Sequence, residues 1–457
     1  MRNRGGHAVV LGASMAGLLA ARVLTEFFDR VSVVDRDELD DSSAPRRGVP
    51  QAQQPHVMLA RCGQIIEELF PGVTGEIVGA GAHLWRTGDL SQLYTRFNGH
   101  LVTRTGRLED PDMLTILYAG RPFLECHVRR RVRALPTVSF VDRHDIDALT
   151  WSGQAVTGVR VTGQADHRTH DIAADLVVDA TGRGSRTPNF LEQQGRARPR
   201  EDQLTVHVSY ASMRVRIPDG LLHELLFIDM PEPGRPRGFA MSRCEGDEWH
   251  VMVGTLGRDN RPPVSVDEFH ARAEELMPAH AYAALRAGEP LADLAVYRFP
   301  ASRWRRYDKV RMPDGLLVTG DAVASFNPIY GQGMTLAAID AVALRDCLRG
   351  GDRGLSRRFH RQTAKGIGIA WRTAVNSDLL LPEVEGPRPL STRLSNAYID
   401  RILLACETDA WVDQQFQMVS GMLQPPSRLL RPAMLRRVFA ASRGRQNLSA
   451  VEVPATA

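Results

Sequence analysis

Lysine is almost missing from this chain. Lys309 and Lys365 are the only two in 457 residues, and arginine supplies nearly all the positive charge. The formal net charge is +4, and the arginines are scattered among acids, so no face for nucleic acid is legible. Cysteine is sparse too. Cys62, Cys126, Cys244, Cys347 and Cys406 are odd in number, far apart and form no Cys-x-x-Cys pair. Reduced thiols in a cytoplasmic protein are the simplest reading. No apolar run reaches the ~18–20 residues that cross a bilayer. Residues 8–21, behind Met1-Arg2-Asn3-Arg4, have the outline of a short signal peptide, but they carry glycines at motif spacing and are cut by Arg22. The expectation is a cytoplasmic protein with no nucleic-acid partner and no stable membrane insertion. What is present is ordinary for a soluble globular chain, 43% hydrophobic and 24% charged, and long enough for two interlocked domains.

Two distant stretches carry chemistry. The first opens with the apolar run His7-Ala8-Val9-Val10-Leu11, a buried strand. Gly12-Ala13-Ser14-Met15-Ala16-Gly17 follows, then a helical pattern over 18–28 and a second strand over 30–35. This is a βαβ dinucleotide fingerprint. Gly12 permits the tight turn and Gly17 lets the helix lie close to the strands. Asp35, followed by Arg36, ends the second strand, where an acid grips an adenosine ribose. Ser14 stands where the fingerprint has its middle glycine, and its hydroxyl could itself bond phosphate.

The second stretch follows the apolar run Gly315-Leu316-Leu317-Val318-Thr319. It reads Gly320-Asp321-Ala322-Val323-Ala324-Ser325-Phe326-Asn327-Pro328-Ile329-Tyr330-Gly331-Gln332-Gly333-Met334 and enters a helical pattern at Thr335. A strand, a Gly-Asp turn, a loop fixed by Pro328 and a helix entered through glycines bring backbone N–H groups and the positive end of a helix dipole to one point. That suits a flavin dinucleotide, with the ribityl chain on Asp321 and the isoalloxazine over Gly331, Gln332, Gly333 and Met334. An ordinary βα turn is the alternative.

Between these stretches the chain changes character. Residues 37–50 are a polar loop ending Arg46-Arg47-Gly48-Val49-Pro50-Gln51, either surface or closed over a cofactor. A helix is expected over 57–70. Residues 79–112 have little pattern and could supply strands or cover a pocket. A helix is expected from Arg121 to about 135, with Arg129, Arg130, Arg131 and Arg133 as a largely solvated stripe. Strands are expected over 138–141, 156–161 and 169–172, and residues 175–186 form a third glycine-rich strand end. An antiparallel sheet follows: a strand over 204–217, a hairpin of 238–243 with 249–256, and a strand over 296–299. Ser265-Val266-Asp267-Glu268 is a capping-box start for a helix to about 278. Helices are expected over 337–349, 355–381, 393–405, 411–423 and 427–441, the last basic and amphipathic and packed on the body. The tail from 442 is expected to be loose.

The expected fold class is α/β: a Rossmann-like FAD-binding domain with an inserted antiparallel β-sheet substrate domain and C-terminal helices. Residues 1–80, 113–200 and 306–350 would form the first domain and 201–305 the inserted one. Residues 81–112 would be a substrate-domain segment or pocket cover, 351–441 the helical region and 442–457 the tail.

The Gly-Asp-Ala…Pro…Gly-Gln-Gly-Met pattern resembles that of the flavoprotein monooxygenases of the para-hydroxybenzoate hydroxylase type, over about 7–344. Arg46-Arg47-Gly48-Val49-Pro50-Gln51, Glu67-Glu68-Leu69-Phe70-Pro71-Gly72 and Ala324 through Gly331 look like a bacterial secondary-metabolite branch. That branch includes epoxidases acting on polyene precursors of lasalocid- and monensin-type polyethers. The resemblance implies FAD as cofactor, NAD(P)H as reductant and dioxygen as co-substrate. It implies that Arg46 and Arg121 touch the flavin, that Asp321 holds the ribityl chain and that the inserted sheet roofs the substrate. Oxygen would pass from a flavin C4a-hydroperoxide to an electron-rich carbon of a hydrophobic, polyketide-like molecule. Reduction directly by NAD(P)H or through a flavin reductase partner stays open. No catalytic side chain and no metal site is assigned, and His56, His207 and His250 read as solvated or structurally bonded. A flavin reductase or dehydrogenase of a prenyl or polyketide substrate is the alternative, and a non-enzymatic flavin-binding module another. A flavin halogenase would carry an early lysine and a Trp-x-Trp-x-Ile-Pro segment, and neither occurs before Lys309. A nicotinamide-only dehydrogenase would leave residues 320–334 without a ligand.

Overall fold

The strands His7–Leu11, Arg30–Val34, Val138–Val141, Leu176–Asp179 and Leu316–Val318 are short and mostly apolar, so both of their faces seek cover. In the computed structural model, which describes residues 5–258 and 260–451, they form one parallel sheet. Its spatial order is Leu316–Val318, Leu176–Asp179, His7–Leu11, Arg30–Val34, Val138–Val141. Ala8 and Val10 face the helices Met15–Leu24 and Gly333–Arg349, while Val9 and Leu11 face a three-stranded meander, His144–Ser152, Ala155–Gly163 and Thr169–Ala173. Strand register decides where the loops emerge. Leu11 lies beside Val34 and Asp179, and Asp179 beside Val318. The loops leaving three neighbouring strands, including both candidate motifs, therefore come out together at the carboxyl edge, where such sheets bind ligands.

A second, mainly antiparallel sheet runs in the order Ala324–Ser325, Ala295–Arg305, Glu201–Arg216, Glu248–Thr255, Arg237–Arg243, Leu226–Asp229, Leu93–Phe97, His100–Leu101. Its residues alternate with period two. Phe227, Phe239, Met241, Val251 and Val253 pack under the helices Val266–Leu276 and Ala279–Ala287. Leu226, Ile228, Ala240 and Met252 point the other way and line a cavity. One sheet face is thus core and the other is available to a ligand. Four helices follow the first domain: Leu355–Asp378, Leu390–Cys406, Ala410–Ser420 and Pro432–Val451.

Several expectations are corrected. The stretch 57–70 opens as a strand, Val57–Met58, and its helix is Ala60–Leu69. The first helix is Met15–Leu24, ending before the expected 28. Residues 93–97 pair parallel with 226–229, so the pattern-poor segment does supply strands, as one of its two expected outcomes had it, and they join the second sheet. Leu226–Asp229 and His144–Ser152 were not legible as strands. The arginine stripe is solvated only in part: Arg130 is exposed and Arg131 and Arg133 are half-buried, but Arg129 is not. Arg129 is 2% exposed and donates to the carbonyls of Asp40 and Ser42, while Arg130 bonds that of Asp41 and Arg131 that of Pro71. The bonds from Arg129 and Arg130 pin the 39–42 loop, which lacks backbone partners of its own. The stretch 427–441 breaks where Pro432 starts a new helix after a 3₁₀ turn, Pro426–Leu430. That helix continues past Ser442 to Val451, and 452–457 lie outside the described residues, as do Met1 to Arg4. The Ser265 cap forms, with the return bond from Glu268 one residue further back than in a capping box. Ser265 Oγ accepts the Glu268 N–H at 3.2 Å, and Glu268 Oε2 accepts that of Val264 at 3.0 Å.

No helix among the described residues is long and apolar enough to cross a membrane. The five cysteines are buried and free.

Candidate active site

The first turn is built by contact distance. Gly12 has φ +99°, and a β-carbon there would stand 2.6 Å from the Ala180 carbonyl oxygen. One on Gly17 would stand 1.8 Å from the Gly12 carbonyl oxygen, so the helix can lie this close only without a side chain. Asp35, 8% exposed, accepts the Ala13 N–H at 2.6 Å through Oδ2 and that of Asp37 at 2.8 Å through Oδ1. Burial raises its carboxyl above the usual range, against the pull of Arg46. Arg36, next along, is exposed at the cavity rim, as is Arg47.

Behind the turn lies a charge cluster that sequence reasoning missed. Glu125 is 3% exposed. Its Oε1 accepts from Arg46 Nη2 at 2.5 Å and its Oε2 from Ser14 Oγ at 2.8 Å. Arg121 Nη2 donates to the same Ser14 Oγ at 2.8 Å and lies 3.5 Å from Glu125 Oε2. Arg46 also donates to the Ala13 carbonyl and pairs with Asp35 and Asp37. Burial works against the Glu125 carboxylate, but Arg121 and Arg46 outweigh it and hold the group below its ordinary range. The serine hydroxyl, read as a phosphate contact, is here a bridge between Glu125 and Arg121. The only sequence signal for Glu125 is its i+4 spacing from Arg121.

The second turn meets the first directly. A β-carbon on Gly320, φ +63°, would stand 2.7 Å from that of Ala16. Asp321 faces the cavity, and no described residue hydrogen-bonds its carboxylate. Burial raises its pKa, while Arg121 and Arg183 oppose the rise. Asp340 accepts from Thr319 Oγ1 at 3.2 Å and, buried, is pushed up to about 7. The 326–330 loop is held from behind. Asp378 Oδ1 accepts Asn327 Nδ2 at 2.7 Å and the Tyr330 hydroxyl at 2.8 Å. Pro328 and Gly331, φ +65°, then bring the chain to the N-terminus of Gly333–Arg349, which has no side-chain cap. Gln332 Oε1 and Thr335 Oγ1 are buried there without a partner, as is Arg121 Nε. The third strand end closes on itself, since Asp179 accepts from Thr181, Ser185 and Thr187.

One cavity of about 940 Å³ joins these parts. Gly12, Ser14, Met15, Ala16, Asp35, Arg36, Arg46, Arg121, Gly320, Asp321, Pro328, Gly331, Gln332, Gly333 and Met334 all line it. Gly17 does not, because it is the helix–strand contact. His56 also lines the wall. Its Nδ1 bonds the Gln54 carbonyl at 2.8 Å, and burial, helped by Arg121, lowers its pKa to about 3, so the ring is neutral. His250, 3% exposed, reaches the same carbonyl at 3.3 Å. No His, Cys, Asp and Glu cluster among the described residues could hold a metal ion.

A parallel sheet whose carboxyl edge opens on an elongated cavity, roofed by an antiparallel sheet, defines a dinucleotide-binding α/β protein with an inserted ligand-facing sheet. The chain belongs to the FAD binding domain family, whose model matches residues 7–354. It is 39% identical over 437 residues to Protein Rv3254 of Mycobacterium tuberculosis, covering 92% of this chain and 91% of that one. It is 29% identical over 290 residues to a kynurenine 3-monooxygenase of Salinispora arenicola, 59% of each chain. Among solved structures it resembles the flavin-dependent brominase Bmp2, with TM-score 0.65, 12% identity and coverage of 98% of this chain and 100% of that one. It also resembles the p-nitrophenol 4-monooxygenase PnpA of Pseudomonas putida, with TM-score 0.64, 16% identity and coverage of 93% and 99%. At these identities the structural likenesses show a shared fold.

Proposed function

We propose that this chain is an FAD-dependent monooxygenase that hydroxylates or epoxidises a hydrophobic small molecule, with NAD(P)H as reductant and dioxygen as oxidant. One observation carries the reading: a single cavity runs from Asp35 past Asp321 and ends against an apolar sheet face. The residues present fit FAD. The turn at Gly12–Gly17 offers backbone to a pyrophosphate, and Asp35 and Arg36 stand where the adenosine would lie. Arg46 and Arg121 flank the path. Asp321 has a free carboxylate for ribityl hydroxyls. The uncapped helix start at Gly331 to Met334, with Gln332 Oε1 unsatisfied, awaits a polar ring edge. Bound FAD supplies the redox chemistry: NAD(P)H provides two electrons, one oxygen atom enters the substrate and the other leaves as water. The helix N-terminus favours negative charge on the reduced ring, and the sheet face excludes water from the reacting carbon.

The names of the Salinispora and Pseudomonas relatives support oxygenation over simple reduction. A polyketide-like secondary metabolite suits the chamber's apolar wall. The test is direct. The purified protein should be yellow and release FAD on denaturation. Its NAD(P)H oxidation should be coupled to oxygen uptake when a hydrophobic alkene or phenol is added. A flavin-free protein, or NAD(P)H oxidation that proceeds equally without oxygen, overturns the reading.

A further inference from the structure

The far end of the cavity is walled by two elements. One is the sheet face, where Leu93, Phe97, Leu226 and Ile228 point inward. The other is the helix Ala410–Ser420, which presents Asp413, Phe416, Gln417 and Ser420. Their spacing of i, i+3, i+4 and i+7 places them on one helical face. Phe416 sets its ring edge-on to Phe97 at 6.1 Å. Asp413 is the one charged side chain that these two walls contribute. It is 1% exposed, and its Oδ2 accepts from Gln417 Nε2 at 2.6 Å. No described residue bonds its Oδ1, and no ion pair reaches it. The nearby arginines are engaged elsewhere, Arg437 with Asp409 and Arg428 with Gln415. Burial pushes the carboxyl up to about 7.

A buried carboxyl with one oxygen unsatisfied is costly unless something bonds it. The helix's fully buried apolar contacts come from Val412 and Met418. We propose that Asp413, steadied by Gln417, is a substrate-recognition residue that accepts a hydrogen bond from a hydroxyl or amine on an otherwise apolar substrate. The inference rests on reading this chamber as the substrate end of a flavin-bearing cavity. It narrows the substrate class: a pure hydrocarbon leaves Asp413 unpaired, whereas a phenol, alcohol or amine completes it. Specificity of this kind is strong because an analogue lacking the donor leaves the site's buried polar group bare.

The test uses the full chain loaded with FAD and three probes of one shape: 2-naphthol, 2-naphthylamine and 2-methylnaphthalene. Isothermal titration calorimetry reads binding without relying on the flavin. At about pH 8.5, above the raised value of about 7, the carboxylate form prevails, and the parent protein should bind the first two about tenfold tighter than the third, the value of one hydrogen bond to a charged group. Asp413→Leu should erase that preference and bind 2-methylnaphthalene at least as well as 2-naphthol. Asp413→Asn, nearly the same shape and able to accept, should keep part of the naphthol preference, which separates recognition from misfolding. Equal binding of the three probes by the parent, binding of none, or a preference that survives in Asp413→Leu overturns the proposal. The two readings fail separately. A protein that purifies without flavin yet shows the Asp413-dependent preference sinks the oxygenase and leaves this inference standing. A yellow, oxygen-consuming enzyme whose preference ignores Asp413 does the reverse.

Discussion

Replacing Glu125 probes whether the charge cluster behind the first turn holds the site together. Glu125→Ala leaves the Arg46 and Arg121 guanidinium groups facing each other without the anion between them, and strips Ser14 of its acceptor. Removing one member of a buried ion cluster costs about 3–5 kcal/mol, because the remaining charges stay desolvated. Glu125→Gln keeps the shape and one acceptor oxygen for Arg46, so the expected loss is smaller, about 1–3 kcal/mol. Equilibrium urea denaturation followed by tryptophan fluorescence measures both. Gel filtration under native conditions measures flavin retention, which should fall in the same order because Ser14 and Arg46 shape the turn. The pH dependence has a fixed sign. The folded carboxyl titrates below its ordinary value of 4.5, so its contribution is full above that pH and is lost as pH falls through the lower folded value. An alanine variant within about 0.5 kcal/mol of the parent that keeps its flavin would refute the reasoning, since that is the range of ordinary surface changes.

Three other outcomes are expected from the geometry. Asp321→Ala should purify colourless or lose flavin on desalting, and a fully yellow variant removes the ribityl assignment. Gly17→Ala drives a methyl to 1.8 Å from the Gly12 carbonyl, a clash with backbone. It should cost about 1–3 kcal/mol or more and lower FAD occupancy, read by denaturation and by the flavin-to-protein absorbance ratio. Asp378, 0% exposed, is pushed by burial to about 7 from an ordinary 3.8. Its neutral form is the favoured one in the fold, so the parent should lose stability as pH rises from 3.8 to about 7 and level off beyond. Asp378→Asn keeps an acceptor for Asn327 and Tyr330 and should flatten that decline in thermal melts across the window.

Local signals made the two candidate turns readable. Glycine spacing, the apolar runs before Gly12 and Gly320, and Asp35 at a strand end lie within a few residues of one another, and steric rules act on neighbours. The same is true of the Ser265 cap. The Arg129 to Arg133 stripe misled at Arg129, because a charged run reads as a solvated face. The partners of buried Arg129 are the Asp40 and Ser42 carbonyls, which no side-chain pattern announces.

What the sequence determined by itself was a pair of glycine-rich strand–turn–helix units, because those depend on short-range backbone sterics and hydrophobic period. Only tertiary structure decided that both turns share one cavity, through the parallel register that sets Leu11, Val34, Asp179 and Val318 level. It alone brought Glu125 to Ser14 across 111 residues, and turned Asp413 from an ordinary helix position into the charged group of an apolar chamber. Contacts between residues so far apart in the chain arise from packing that minimises exposed apolar surface over the whole molecule, and no local window contains that information.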